Sequence, residues 1–241
     1  MRKPRFMFTV ISLLALLVAA VTAQNALAAE TVGKVANLNG PLFDQKTDGT
    51  IMTLAQNSGV EVGDTLVAEK RTYARIKFID DSEVILRPST QFKVETLSYD
   101  QNKPATDKAV MSMVKGGLRA ITGQIGKRGS GDDYQMKTVA ATIGIRGTIY
   151  ETRACDGNCG SLKDGVYFYV VQGSIVVSNN AGSVVLGPGQ SAYAPDANTM
   201  PVILPTAPEL DFMLPEWVLT LNETPWVWTI SGEPCRSCEV R

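Results

Sequence analysis

From Glu30 to about Pro195 the chain is a succession of short apolar runs, each closed by Gly, Asn or Asp. Runs this short, bounded by turn formers, reach compactness only as strands joined by tight turns. Tyr73–Phe78 alternates strictly. It places Ala74, Ile76 and Phe78 on one face and Tyr73, Arg75 and Lys77 on the other, which predicts a strand wetted on one side. Asp80-Asp81 supplies the next turn, Glu83–Leu86 leads into Pro88, and Gln91–Glu95 alternates again, so three successive strands are predicted between residues 72 and 97. The polar stretch Asp100–Lys108, with Pro104, reads as a surface loop, and the Gly-, Lys- and Arg-rich stretch Gly123–Gly131 as a flexible turn. Val166–Val171 and Ser174–Val177 read as two runs either side of Gln172-Gly173, and Asn179–Gly182 as a hairpin turn before Ser183–Leu186. An all-β fold follows, either sandwich-like or an irregular β-solenoid.

The ends of the chain read differently. Arg2, Lys3 and Arg5 precede an uncharged run from Phe6 to Ala23, and Ala26-Leu27-Ala28 puts small residues at the −3 and −1 positions of a cleavage site. This is the layout of a secretory signal. Residues 1–28 are therefore expected to be a signal peptide, with the mature N-terminus at or near Ala29; an uncleaved anchor is the alternative. In both cases no folded cytoplasmic domain is expected, because only five residues stand ahead of the apolar run. No Cys precedes Cys155, so the lipid-attachment cysteine of a lipoprotein is missing at the plausible cleavage sites. The expected product is periplasmic or secreted, without a membrane span after signal removal. Beyond the β-domain at 30–195, residues 196–241 form a tail spaced by Pro201, Pro205, Pro208 and Pro215 and carrying all three tryptophans. Such a tail is either a linker ending in a partner-binding segment or a strap whose aromatics cover the domain's own open end.

Without the three basic residues of the signal, the chain keeps 20 of its 23 Lys and Arg against 24 Asp and Glu, a net charge of −4. That balance, with no Lys/Arg cluster interleaved with aromatics, argues against nucleic acid as a partner. The sequence contains no histidine. Ser-His-Asp and Cys-His catalysis, His-ligated zinc and the ordinary pH switch are thereby excluded. Carboxylate chemistry survives that exclusion, with Asp132 and Asp133 as candidates, but adjacent carboxylates on a glycine-rich loop are usually only solvated. The expectation is a protein that is not an enzyme and carries no cofactor.

Between Val32 and Pro195 the order of landmarks resembles the FecR domain. Val32-Gly33-Lys34-Val35 with Gly40 is similar to that family's first hairpin, and Val62-Gly63-Asp64-Thr65-Leu66 to its "G-D-x-[IL]" turn. Ala74–Phe78 and the run from Asp81 to Thr90 follow, and Thr142–Thr148 resembles the "a-x-[VI]-R-G-T" core. Val170–Val177 and Leu186–Ser191 complete the series. The resemblance implies an all-β fold, a twisted β-solenoid in relatives, and a non-catalytic periplasmic sensing or interaction role. An envelope protein or an extracytoplasmic receptor domain is the partner it implies. The iron regulators of the family control a sigma factor through a cytoplasmic domain that this chain is expected to lack, so direct control of that kind is not expected. The alternative is a structural scaffold of the cell envelope.

Two groups of residues are singled out. In a strand through Ile145-Arg146-Gly147-Thr148, Ile143, Ile145 and Ile149 are expected to face the core and the candidate binding residues Arg146 and Thr148 the other way, with Gly144 and Gly147 permitting a bulge. Arg146 is read either as a structural arginine satisfied by carbonyls or a carboxylate, or as a ligand contact. Asp64 reads as a turn residue bonding its own backbone. The four cysteines are expected to be oxidised, most simply as Cys155–Cys159 and Cys235–Cys238, because short turns hold each pair together. Crossed disulfides, a tetrathiolate zinc site and a redox pair are the alternatives.

Overall fold

In a computed structural model the described residues are 30–128 and 132–208, together with Val218 and the backbone of 227–228 and 234–235. The expected signal peptide, its cleavage site and most of the tail lie outside them. Eight strands come first: β1 (Thr31–Asn39), β2 (Leu42–Gln45), β3 (Ile51–Leu54), β4 (Gly59–Glu61), β5 (Thr65–Ala68), β6 (Tyr73–Phe78), β7 (Glu83–Leu86) and β8 (Gln91–Ser98). A 3-10 turn at Pro104–Thr106 leads to β9 (Lys108–Lys115), β10 (Gly117–Ile121) and the one-turn helix α1 (Gln124–Arg128). β11 (Tyr134–Lys137), β12 (Thr142–Cys155), β13 (Gly165–Asn179), β14 (Gly182–Leu186), β15 (Ser191–Ala194) and β16 (Val202–Leu204) follow.

All sixteen strands belong to one curled, mixed sheet, in which β9 and β11 run parallel and the other pairs antiparallel. The hydrogen-bonded path runs β3-β2-β5-β8-β9-β11-β12-β10-β7-β6-β1-β4. Its two ends, β3 and β4, are consecutive in the chain and joined by the turn Ala55–Ser58. The inner face holds one core to which nearly every strand contributes, with Ile76, Phe92, Met111, Leu118, Tyr150 and Phe168 fully buried. The all-β expectation holds, as do the three strands between residues 72 and 97 and the hairpin turn at Asn179–Gly182. The sheet also runs past Pro195, because β16 pairs with β15.

Three local expectations are corrected. The glycine-rich stretch after Ile121 opens with α1, not a flexible turn. Gly123 packs so closely on the β6–β7 turn that an added Cβ would stand 2.3 Å from Asp80 O and Ser82 N. The Gln124 N–H donates to Asp80 O at 2.7 Å. At the other end of the helix Arg128 donates to Asp107 Oδ2 and to the carbonyls of Asp100 and Gln101, over the ring of Tyr99. Val166–Val171 and Ser174–Val177 form one strand, β13, and Gln172-Gly173 is a bulge within it. Arg75 is buried and not on a wet face.

The Asp64 turn behaves as its sequence predicts and also closes an ion cluster. Asp64 Oδ2 accepts the Glu61 N–H at 2.8 Å, while Lys46 Nζ reaches Asp64 and Glu61 at 2.7 Å and Asp44 at 3.0 Å. Burial alone pulls the Lys46 ammonium down, but hydrogen bonds to Asp64, Glu61 and Asp44 together hold it above the usual lysine range. Burial likewise raises the Asp44 carboxyl, with Lys46 opposing.

Cys155 and Cys159 form a disulfide across Asp156-Gly157-Asn158 at the end of β12. Neither sulfur is then available to a crossed pairing or to a tetrathiolate zinc site. Cys155 packs on Tyr167, with Tyr193 and Leu204 beside it. Cys238 lies outside the described residues, as does the side chain of Cys235. Replacing Cys155 and Cys159 by serine is expected to cost about 2 kcal/mol, the chain-entropy value for closing a loop of about 5 residues. Urea unfolding of the double variant against the parent checks it, and an unchanged midpoint would show that the packing on Tyr167 holds this loop without the bond.

Candidate functional site

The outer face of the sheet presents the exposed Arg146 where β12 and β13 are both irregular. Their register shifts between Arg146 and Ile149 and again at Tyr150. Gly147 and Gly173 sit at φ +62° and +80°, a left-handed conformation that glycine adopts without strain. They also meet across the strands, since a Cβ on Gly173 would stand 2.5 Å from Gly147 O. A side chain at position 173 would force the two strands apart.

The double bulge reverses the side-chain phase along β12. Before it, Ile143 and Ile145 point inward and Thr142, Gly144 and Arg146 outward; after it, Tyr150 and Thr152 point inward. Thr148 therefore does not share a face with Arg146, as strict alternation predicts. It is buried, its hydroxyl donates to Ser174 O at 2.6 Å, and its N–H donates to Thr122 Oγ1 at 2.9 Å. The Thr148 carbonyl accepts from the Thr122 N–H in return. Every polar group of Thr148 is thus committed to joining β12, β13 and the segment before α1, and its part is structural. Ile149, expected in the core, is only half-buried for the same reason.

Arg146 is the converse case. Read from sequence either as a structural arginine satisfied by carbonyls or a carboxylate or as a ligand contact, it is exposed and makes no ion pair among the described residues. It lines an open groove of about 450 Å³ with Asp132, Gln135, Thr142, Ser174 and Val176. Val176 is 42% exposed, and its register partner Val185 on β14 is 62% exposed. The groove thus sets a guanidinium fork beside hydroxyls and Val176, with Val185 on the neighbouring strand, an arrangement that can hold a carboxylate and a short apolar side chain together. Of the two loop carboxylates, Asp132 is exposed and enters this groove, whereas Asp133 is half-buried and its carbonyl accepts the Ala109 N–H. Gln135, Ser174 and Val176 were not legible as site residues. Gly147 inside a predicted strand and Gly173 between two apolar runs were the available signals, since strand glycines mark bulges.

A family model described as FecR protein matches residues 64–176, from the Asp64 turn to Val176 in the groove. Comparison with curated proteins gives no match. Two crystal structures of a candidate anti-sigma factor from Parabacteroides distasonis ATCC 8503, at 2.50 and 1.65 Å resolution, are similar at TM-score 0.44 and 16% identity. The similarity covers 58% of this chain and 57% of that one, so it spans little more than half the length of either.

Proposed function

We propose that this chain, whose residues 64–176 match the FecR protein family model, is a non-catalytic, exported signalling module whose task is to hold a protein partner in the groove around Arg146. The partner is an envelope protein or an extracytoplasmic receptor domain, and the setting is the periplasm or the cell exterior. The observation that carries the reading is Arg146 itself. A strand arginine with no carboxylate or carbonyl to satisfy adds little to folding, and here it is presented at a junction of two bulged strands whose close approach requires glycine at position 173. The neighbouring Val176 and Val185 leave apolar area in water beside the cation, which favours a protein surface with a carboxylate next to an aliphatic side chain.

Replacing Arg146 by alanine is therefore expected to leave stability within about 0.5 kcal/mol of the parent, as for other exposed positions, and to abolish retention of the partner. Denaturant unfolding measures the first, and recovery of envelope proteins on the tagged full chain, parent against variant, measures the second. A variant that unfolds earlier while retaining the same proteins would overturn the reading.

A further inference from the structure

In the sixteen-stranded sheet β3, β4, β14 and β16 each pair with one neighbour. A free strand edge is a row of unpaired N–H and C=O groups, and folds blunt such edges with shortness, charge, proline or cover. Three of these four are blunted. β4 is three residues long and ends on Glu61. β16 is also three residues long and stands between Pro201 and Pro205. The turn that opens β14 is bound to the segment after β15: the Asn179 side chain donates to the carbonyls of Asp196 and Thr199, the Asn180 N–H donates to that of Ala197, and a Cβ on Gly182 would meet Met200 at 3.5 Å.

β3 carries none of these devices. In its hairpin with β2 the Lys46 N–H donates to Thr50 O at 2.8 Å, and Met52 stands opposite Asp44. Bonding alternates along an antiparallel pair, so the N–H and C=O groups of Ile51 and Thr53 point away from β2, towards the free edge. The side chains there are apolar and in water: Ile51 is 66% exposed and Met52 49%. From Gly49 to Val60 the chain has no Asp, Glu, Lys or Arg, although 20% of the whole sequence is charged.

We propose that β3 is the pairing edge for a second copy of this chain, joined antiparallel about a two-fold axis at Met52. A two-fold axis pairs a strand with itself reversed. Ile51 then exchanges both backbone bonds with Thr53 of the second copy, and Thr53 with Ile51 of the second copy, while the two Met52 side chains meet on the other face. The choice of occupant follows from charge. A contact of this symmetry brings each side chain close to its own duplicate, so a charge on the edge would meet its like, and this edge has none. The nearest charge in sequence, Asp48, falls at the level of the neutral Gln56 of the second copy. A different protein would be selected by complementary charges, for which this edge offers no handle. A strand of four residues buries little area, so the dimer is weak and forms as concentration rises. The inference stands independently of the groove around Arg146.

Sedimentation velocity of the full chain from about 1 to about 200 μM reads the association. The expected result is a rise towards twice the mass of one chain, unchanged by salt between about 0.05 and about 0.5 M. Ile51→Lys brings like charges to the two-fold axis, and Thr53→Pro removes an N–H that points away from β2. Both variants are expected to keep the parent's far-UV circular dichroism and to sediment as one chain at every concentration. The register is read with cysteine. Met52→Cys is expected to give a covalent dimer on a non-reducing gel, whereas Val139→Cys, 61% exposed on the turn between β11 and β12, gives no more than the parent. A parent that sediments as one chain throughout, as it would if a strand of a different protein took this edge, overturns the proposal. So does association that salt disperses or that either edge variant leaves intact, and so does equal cross-linking at positions 52 and 139.

Discussion

Replacing Glu151 by alanine is expected to destabilise the protein by about 3–5 kcal/mol, the range for removing one partner of a buried ion pair. The Glu151 side chain is 2% exposed and stands between the Arg119 and Arg87 guanidinium groups, themselves 17% and 7% exposed. Without it, the Arg119 and Arg87 guanidinium groups lose the carboxylate they share, and neither can be neutralised at ordinary pH. Glu151→Gln keeps the shape and an acceptor and is expected to lose less. Against a typical total of about 5–15 kcal/mol the alanine variant is close to unfolding. Urea titration at neutral pH decides the matter: a loss below about 1 kcal/mol would mean that the row is solvated and its ion pairs are weak.

The residue before it is expected to matter as much for an unrelated reason. Tyr150 points to the opposite face of β12, into the core, and is among the largest fully buried side chains. Tyr150→Ala opens a ring-sized cavity that rigid strands on both sides cannot collapse, at about 3–5 kcal/mol. The Tyr150 hydroxyl lies 3.0 Å from that of Tyr134. Tyr150→Phe therefore isolates the polar part, at about 1–3 kcal/mol for the hydroxyl left without its partner. Burial, more than the contact between them, pushes both phenols above the ordinary value of 10.0. The sign follows directly: above pH 10 the unfolded chain releases protons that the native state retains, so stability falls as pH rises from there. Alkaline unfolding of Tyr150→Phe should show a shallower fall than the parent. Equal slopes would mean that these phenols reach water in the native protein.

The two effects show how the chain divides its tasks, because a strand offers its two faces to different environments at successive residues. The inner face builds one core across the curled sheet. The outer face is exposed where Arg146, Val176 and Val185 lie and covered where Ile85 meets Val218. The proposed binding role needs both, a rigid body to hold geometry and a surface not spent on folding.

Local chemistry determined the elements. Ala74, Ile76 and Phe78 had to share a face, Asp80-Asp81 had to turn, and Asn179–Gly182 had to close a hairpin, because each outcome depends only on neighbours within a few residues. The order of motifs from Val62-Gly63-Asp64 to Gln172-Gly173 likewise carried the resemblance to the FecR family, whose model matches residues 64–176. Alternation states which side chains lie together, however, and not what lies on top of them. Arg75 was expected in water and is buried. Arg146 and Thr148 were expected on one face and were separated by a bulge that exists only because Gly147 and Gly173, 26 positions apart, pack against each other. Which half of the outer face is open and which is covered was decided by contacts between residues distant in sequence, such as Ile85 with Val218, and those form only once the sheet has brought them together.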